Sequence, residues 1–406
     1  MILNLPVPDD QRAWSQALAL RDAGARVTVV CPAIRDKQPG GDQVDGIEII
    51  RFASFEGQGA LATAAEGVWT ATAAARAVRS VFRTSRGTRQ LLQIGNPPDL
   101  LFPLARWARR RGIRTVYDQR DVVPVLAASR AGFNKLTPVF LGAERRLIAA
   151  SDVVITPSEE QRSRIAELYG RDAVIIRTAE VASQTPAATP PPAPTNPANS
   201  DHSSKTSNHS ASPLLLGYLG VIGEQDGLTD LLDAIALLRL HPDSTTPFRL
   251  AVAGDGPALP SARAHATALG LDDLVTFHGW LGPGEVDPFL DSIDAMTVPD
   301  PDNPFNHFCA MNKVTHAMAR GIPIALRPLR ENTRLVGPHA YRASDMTVRA
   351  FADAIAKLLA DSPESRASIA SGARALFEAE HSWAQYAPRY IEAIFRPRRI
   401  TSPHPA

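Results

Sequence analysis

Cysteine is nearly missing from this chain: 2 residues, Cys31 and Cys309, in 406. One ends an apolar run and the other sits in a loop pattern, without the paired spacing of a metal knuckle or redox motif. A disulfide scaffold is excluded, and reduced thiols in a cytosol are expected. Neither sign of charge dominates, since 43 Lys and Arg against 42 Asp and Glu leave a formal +1. No global field therefore draws the chain to nucleic acid or a membrane. No apolar run reaches the roughly 20 residues that span a bilayer. The N-terminus lacks the basic and apolar regions of a signal peptide, so a cytoplasmic protein is expected. Aromatic residues are few, at 6%, but hydrophobic residues make up 44% and charged ones 21%. That composition is globular, and the length suffices for two domains with separate cores.

What is present is an alternation of strand and helix patterns. Met1–Leu5 offers a fragment of a first strand, too short for a typical central one, so a start further upstream would be expected to add stability. A helix follows over Gln11 to Ala23, stopped by Gly24, and then the buried strand Arg26–Cys31. Further strands are expected at Ile47–Phe52, Leu91–Ile94, Arg114–Asp118 and Asp152–Ser158, with helices around 63–82 and 104–111. Ser158 has the chemistry of an N-cap, with Glu159 and Glu160 in the first turn. Such alternation predicts doubly wound parallel sheets, with function in the loops after the strands. Arginines at 106, 109, 110, 111 and 114 fall on the polar side of a helix. A solvated face accounts for them most simply, with a weak contact to anionic lipid as the functional alternative and nucleic acid set aside.

From 183 to 213 the composition turns to Pro, Ala, Ser, Thr and Asn, which cannot bury enough apolar surface to order a chain. A disordered linker or insertion is expected there, between domains at 1–182 and 214–382. The second half restarts with the strand Leu214–Gly220, and a helix is expected to open at Val221–Leu228. Arg249–Ala253 is a strand that runs into Gly254-Asp255-Gly256-Pro257.

One stretch speaks most directly to function. The strand Ile293–Val298 enters a proline-studded loop through Asn306, and the helix Met311–Arg320 follows, stopped by Gly321. A helix start presents unpaired N–H groups and the positive end of its dipole. With Lys313 in the first turn, that is a candidate diphosphate site, though an ordinary surface lysine on a strand–loop–helix unit is the plain alternative.

Taken in order, these residues resemble family 4 of the retaining glycosyltransferases. The resemblance rests on Ala253–Pro257 followed by a helix and Val275–Trp280, on Gly220–Gly227, and on Met311–Val314. In the first half it rests on Pro8–Cys31, Asn96-Pro97-Pro98-Asp99-Leu100 and Tyr117–Asp121. It implies the GT-B fold, α/β with two facing Rossmann-like domains and a cleft between them. The second domain would hold a UDP- or GDP-sugar, the first an acceptor of unspecified identity, and the helix from 383 would return to the first domain. Gly220, Gly254, Asp255, Gly256, Asn312, Lys313, His316, Arg327 and Glu331 are then the donor-binding candidates. Lys313, Asp118 and Asp121 are the catalytic candidates, and Arg120 and Asn96 the acceptor candidates. No metal or other cofactor is expected, and Asp300-Pro301-Asp302 reads as loop punctuation. The chain departs from the family pattern where a ribose-binding glutamate is usual, carrying His316 there and Phe308 eight residues earlier. A nucleotide-sugar epimerase and a non-catalytic homologue that binds a partner are the alternative readings.

Overall fold

The computed structural model describes residues 1–3, 5–33, 38–54, 60–84, 89–129, 133–178, 213–240, 246–282 and 284–396. The Pro/Ser-rich stretch, apart from Pro213, and the chain beyond Arg396 lie outside the described residues. Two compact units divide the chain. The first comprises Met1–Val181, Asn303–Ala310 and His381–Ala406, and the second Ala182–Asp302 and Met311–Glu380.

Unit 1 begins with α1 (Gln11–Asp22), capped by the Asp10 carboxylate on the Ala13 amide, and β1 (Thr28–Ala33). A hairpin of β2 (Gly40–Val44) and β3 (Ile47–Ala53) follows. Its two-residue turn, Asp45-Gly46, takes φ of 48° and 77°, the twist-matched geometry that an Asp-Gly pair favours. Next come α2 (Ala60–Thr84), β4 (Leu91–Gly95), α3 (Phe102–Arg110) and β5 (Arg114–Asp118). The run closes with α4 (Val123–Ser129), α5 (Thr137–Ala150), β6 (Val153–Thr156), α6 (Glu159–Tyr169) and β7 (Val174–Ile175). As expected, Ser158 caps α6 by accepting from the Gln161 amide.

The strands form ladders β1-β3-β2 and β4-β5-β6-β7, parallel except for the β2–β3 hairpin. The short first strand joins them: Ile2 bridges Val30 on one side and Ile94 on the other. Its amide donates to Gln93 O at 2.9 Å, and its carbonyl accepts from the Gly95 amide at 2.9 Å. Ile2 thus links the two ladders. One apolar layer packs Ala74 and Val78 of α2, Leu104 and Ala108 of α3, and Leu147 of α5 against Leu92, Ile94 and Tyr117.

Unit 2 runs β8 (Leu214–Leu219), α7 (Leu228–Arg239), β9 (Phe248–Ala253), α8 (Leu259–Ala268), β10 (Val275–Gly279), α9 (Val286–Ser292) and β11 (Ala295–Val298). It continues with α10 (Asn312–Arg320), β12 (Ile324–Leu326), α11 (Arg330–Val336), β13 (Tyr341–Arg342), α12 (Val348–Ala360) and α13 (Pro363–Leu376). The six strands are all parallel, in the order β10-β9-β8-β11-β12-β13. From β8 the chain winds one way to β10, then restarts on the other side at β11. The helix expected from Val221 starts later, at Leu228, after a single 3₁₀ turn over Glu224–Asp226.

The chain returns to unit 1 with α14 (Trp383–Phe395). Its Tyr386, Tyr390 and Ile394 pack with Ala13 and Ala17 of α1 and with Val29 and Val116 of the sheet. Tyr390 also donates to the buried Gln93 Oε1 at 2.6 Å.

Candidate functional site

Ligands of doubly wound sheets sit outside the carboxyl ends of the strands, where the strand order reverses. In unit 2 that point lies between β8 and β11, so the loops after Leu219 and Val298 form the floor. Three glycines let these loops close on each other. A Cβ on Gly254, whose φ is +136°, would overlap the Gly220 carbonyl oxygen. One on Gly256 would lie 2.5 Å from Ile222 O, and one on Gly227 2.5 Å from Pro299 O. The Gly254 amide donates to Gly279 O at 2.7 Å, and Ile222 donates to Asp255 O at 2.9 Å. Gly254, Asp255 and Gly256, expected to bind the donor, also support the β8 loop. The amides of Gly220, Ile222 and Gly223 are taken by Ala253 O, Asp255 O and Asp226 Oδ2, so these three N–H groups of the loop are committed internally.

Lys313, in the first turn of α10, is buried, and its Nζ lies 3.1 Å from both oxygens of the wholly buried Asp300. The ammonium also sits over the Tyr218 ring, 4.6 Å from its centroid. A Cβ on Gly220 would stand 3.8 Å from Nζ, an ordinary van der Waals contact, so Gly220 borders the ammonium directly. Burial pulls the Lys313 pKa down, but Asp300, then Tyr218 and Asp226, outweigh it, and the net displacement is upward. Lys313 is thus a permanent cation. Burial pushes the Tyr218 hydroxyl up to about 12 against the opposing pull of Lys313, and that hydroxyl donates to Val221 O. Burial likewise raises the Asp226 carboxyl.

This corrects the sequence reading of Asp300 as loop punctuation, since it is the counter-ion of the principal candidate. Tyr218 was missed because its partner Lys313 is far away in sequence, and Asp300 because its place among loop prolines reads as turn chemistry. The apolar strand containing Tyr218 does place it one residue from its carboxyl end, a position that could have flagged it. His316 lies three residues after Lys313 on α10 and is half-buried. Asn312 is exposed at the helix start, and its amide and that of Lys313 have no intrahelical acceptor in this geometry. The structure brings Gly220, Asn312, Lys313 and His316 to this one end of the sheet.

Arg327 and Glu331 do something else. Arg327 donates to Asp230, to Pro299 O at 3.1 Å and to Met346 O, clamping α7 to the loops after β11 and β13. Glu331 is wholly buried and accepts from Arg334 at 2.9 Å. Both are held by neighbouring groups of the scaffold.

In unit 1 the candidates cluster beyond β4 and β5. Asp118 is wholly buried, and its Oδ1 accepts from Arg12 Nη2 at 2.5 Å while Oδ2 accepts from Gln16 Nε2 at 3.2 Å. The catalytic candidate is thus an internal counter-ion. Asn96, also buried, staples the loops: Oδ1 accepts from the Arg120 amide at 2.6 Å, and Nδ2 donates to Asp121 O at 2.7 Å. That fixes the loop carrying Arg120 and Asp121, whose side chains are half-buried. Burial works against the Arg120 cation, but Asp10 and Asp118 more than offset it. Arg120 donates to Asp10, while its Nη2 has no hydrogen-bond partner among the described residues. Close by, Tyr117 donates to Asp99 Oδ1 at 2.7 Å, and burial pushes that carboxyl up to about 7. The carbonyl of Phe308, in the 303–310 stretch, accepts from Ser158 Oγ at 2.7 Å.

Comparison with known proteins agrees with this geometry. A family model described as glycosyl transferase 4-like domain matches residues 10–179, and one described as glycosyl transferases group 1 matches residues 213–361. A search of curated proteins finds no significant match. Among solved structures, the chain is similar to the sucrose-phosphate synthase of Thermosynechococcus elongatus at 16% identity and a TM-score of 0.71, covering 95% of this chain and 92% of that one. It is similar to Anabaena HepE in complex with UDP and glucose at 16% identity and a TM-score of 0.66, covering 98% of each. WaaG, a glycosyltransferase involved in lipopolysaccharide biosynthesis, matches at 14% identity and a TM-score of 0.65, over 98% of this chain and 99% of that one. The fold is that of the GT-B class, with two Rossmann-like domains. Within it, the chain belongs to the group 1, 4-like glycosyltransferases and is a glycosyltransferase. Among the described residues no helix is long and apolar enough to cross a membrane.

Proposed function

We propose that the chain moves a hexose-type sugar from a UDP- or GDP-sugar to an acceptor hydroxyl, with retention at the anomeric carbon. The observation that carries this is Lys313, a buried permanent cation at the start of α10 and at the point where the strand order of unit 2 reverses. Breaking a sugar–diphosphate bond puts negative charge on the departing diphosphate, and a fixed cation with helix-start amides opposes that charge where it grows. Before the donor arrives, Asp300 holds the ammonium in place, and the diphosphate then shares it. His316, one turn along the same face, reaches the ribose. Asn96, through its staple, sets Arg120 and Asp121 as candidates for the acceptor. The engagement of both Asp300 oxygens by Lys313 supports a site that works without a metal.

Calorimetry with UDP and GDP tests the reading, and UDP is the first probe because HepE is in complex with it. His316→Ala should weaken nucleotide binding by about 1 kcal/mol, the worth of one hydrogen bond. His316→Glu should bind at least as well as wild type. Unchanged binding in both His316→Ala and Lys313→Ala would place the nucleotide elsewhere.

A further inference from the structure

A net charge of +1 conceals a strongly uneven surface. In unit 1, α2, α3 and α5 cover one face of the sheet through a shared apolar layer. They also touch one another: the Phe82 and Trp107 rings are 6.1 Å apart, and Arg109 donates to Ala149 O at 2.7 Å. The outward side of this layer is basic. Arg76, Arg79 and Arg83 are exposed on α2, and their spacing sets them on one stripe of the helix. Arg106, Arg109 and Arg110 are exposed on α3, and Arg145 and Arg146 on α5. None of these makes an ion pair among the described residues. The carboxylates within the three helices are Glu66 and Glu144, and Glu144 is wholly buried against Arg164.

Large apolar side chains stand among these arginines. Val68 is 56% and Trp69 46% exposed on α2, and Val139 is 58% and Leu141 37% exposed on α5. Arg106, Arg109, Arg110 and Arg146 also line a cavity of about 330 Å³ floored by Ala149 and Ala150, wide enough for a phosphate group. A surface built only to stay solvated would mix the two signs of charge and avoid exposed tryptophan and leucine. Eight exposed arginines accompanied by exposed apolar side chains, with Glu66 the one carboxylate of these helices that is not wholly buried, instead match the interface of an anionic bilayer. There the long stems lie along apolar surface and the charged heads meet phosphates. We infer that the outward face of α2, α3 and α5 docks this enzyme on a membrane surface rich in anionic phospholipid.

The test is co-sedimentation of the full chain with vesicles of phosphatidylcholine alone or with about one-third phosphatidylglycerol. Binding should require the anionic lipid and should fall steeply between about 50 and 300 mM salt, as screening shortens. R106E/R110E should bind at least tenfold more weakly, with an unchanged melting temperature and unchanged UDP binding. V139S/L141S should also lose vesicle binding while keeping any affinity for a 20-nucleotide RNA. If the charge-reversed protein fails to fold, the salt series on wild type still decides. Equal binding to both vesicle types, binding to neither, or RNA binding that matches vesicle binding in strength and ignores V139S/L141S, would each overturn the inference.

Discussion

Lys313 and Asp300 neutralise each other at the carboxyl end of the unit 2 sheet, with Nζ 3.1 Å from each carboxylate oxygen and both side chains buried. A cation that a diphosphate would use is therefore already partnered in the absence of nucleotide. The pair sits where structure and chemistry pull in different directions.

That pair can be taken apart by a double-mutant cycle. Lys313→Met and Asp300→Asn should each destabilise unit 2 by about 3–5 kcal/mol, because each leaves a buried charge or carboxylate without its partner. The double substitution should recover most of that loss, while turnover stays down by roughly 10²-fold as in Lys313→Met alone. Chemical denaturation alongside product formation reads both quantities. Recovery of turnover in the double variant would remove Lys313 from the reaction.

Asp99 should make stability depend on pH. Its folded-state pKa is raised to about 7 by burial, from an ordinary value near 3.8. An acid with a raised folded pKa favours the folded state at low pH and loses that contribution as pH rises towards 7, beyond which the loss is constant. Wild type should therefore weaken between about pH 4 and pH 7 relative to Asp99→Asn, by an amount on the order of a few kcal/mol. Parallel melting-temperature profiles that do not diverge over that window would show that Asp99 ionises without cost.

Asp118 gives a third test, because contact with substrate and burial predict different outcomes. As the counter-ion of Arg12, it should cost about 3–5 kcal/mol of stability on replacement by Asn, leaving the guanidinium without a counter-charge. The folded fraction at low temperature should keep turnover within a few-fold of wild type. A stable Asp118→Asn protein with turnover lost would return Asp118 to the chemistry.

Much of the fold was legible because buried parallel strands read as apolar runs bounded by glycine and proline. Arg114–Asp118 and the strand leading into the Gly254 turn were visible in that way, and so was the helix with Lys313 in its first turn. The β2–β3 hairpin was not drawn from the sequence, although Asp45-Gly46 carries its turn signal. What could not be read was which charges meet. Asp118 is held by residues 106 and 102 positions away, and no local period encodes such a pairing. Asp300 in a proline-rich loop looks like turn chemistry until α10 sets Lys313 against it. Arg327 looked like a residue offered to a ligand, yet both terminal nitrogens of its guanidinium are engaged by Asp230 and two carbonyls.

The crowding at Gly254 bears on how a mutational scan of this protein would look. A side chain there would collide with the Gly220 carbonyl, and a glycine has no side chain to lose. Gly227 and Gly256 share that condition, each backed by another loop's backbone. Such a scan would show a ring of positions as intolerant as Lys313, solely for the room a side chain would take. Tolerance alone would merge mould and tool into one footprint, and only a readout of fold separate from turnover would tell them apart.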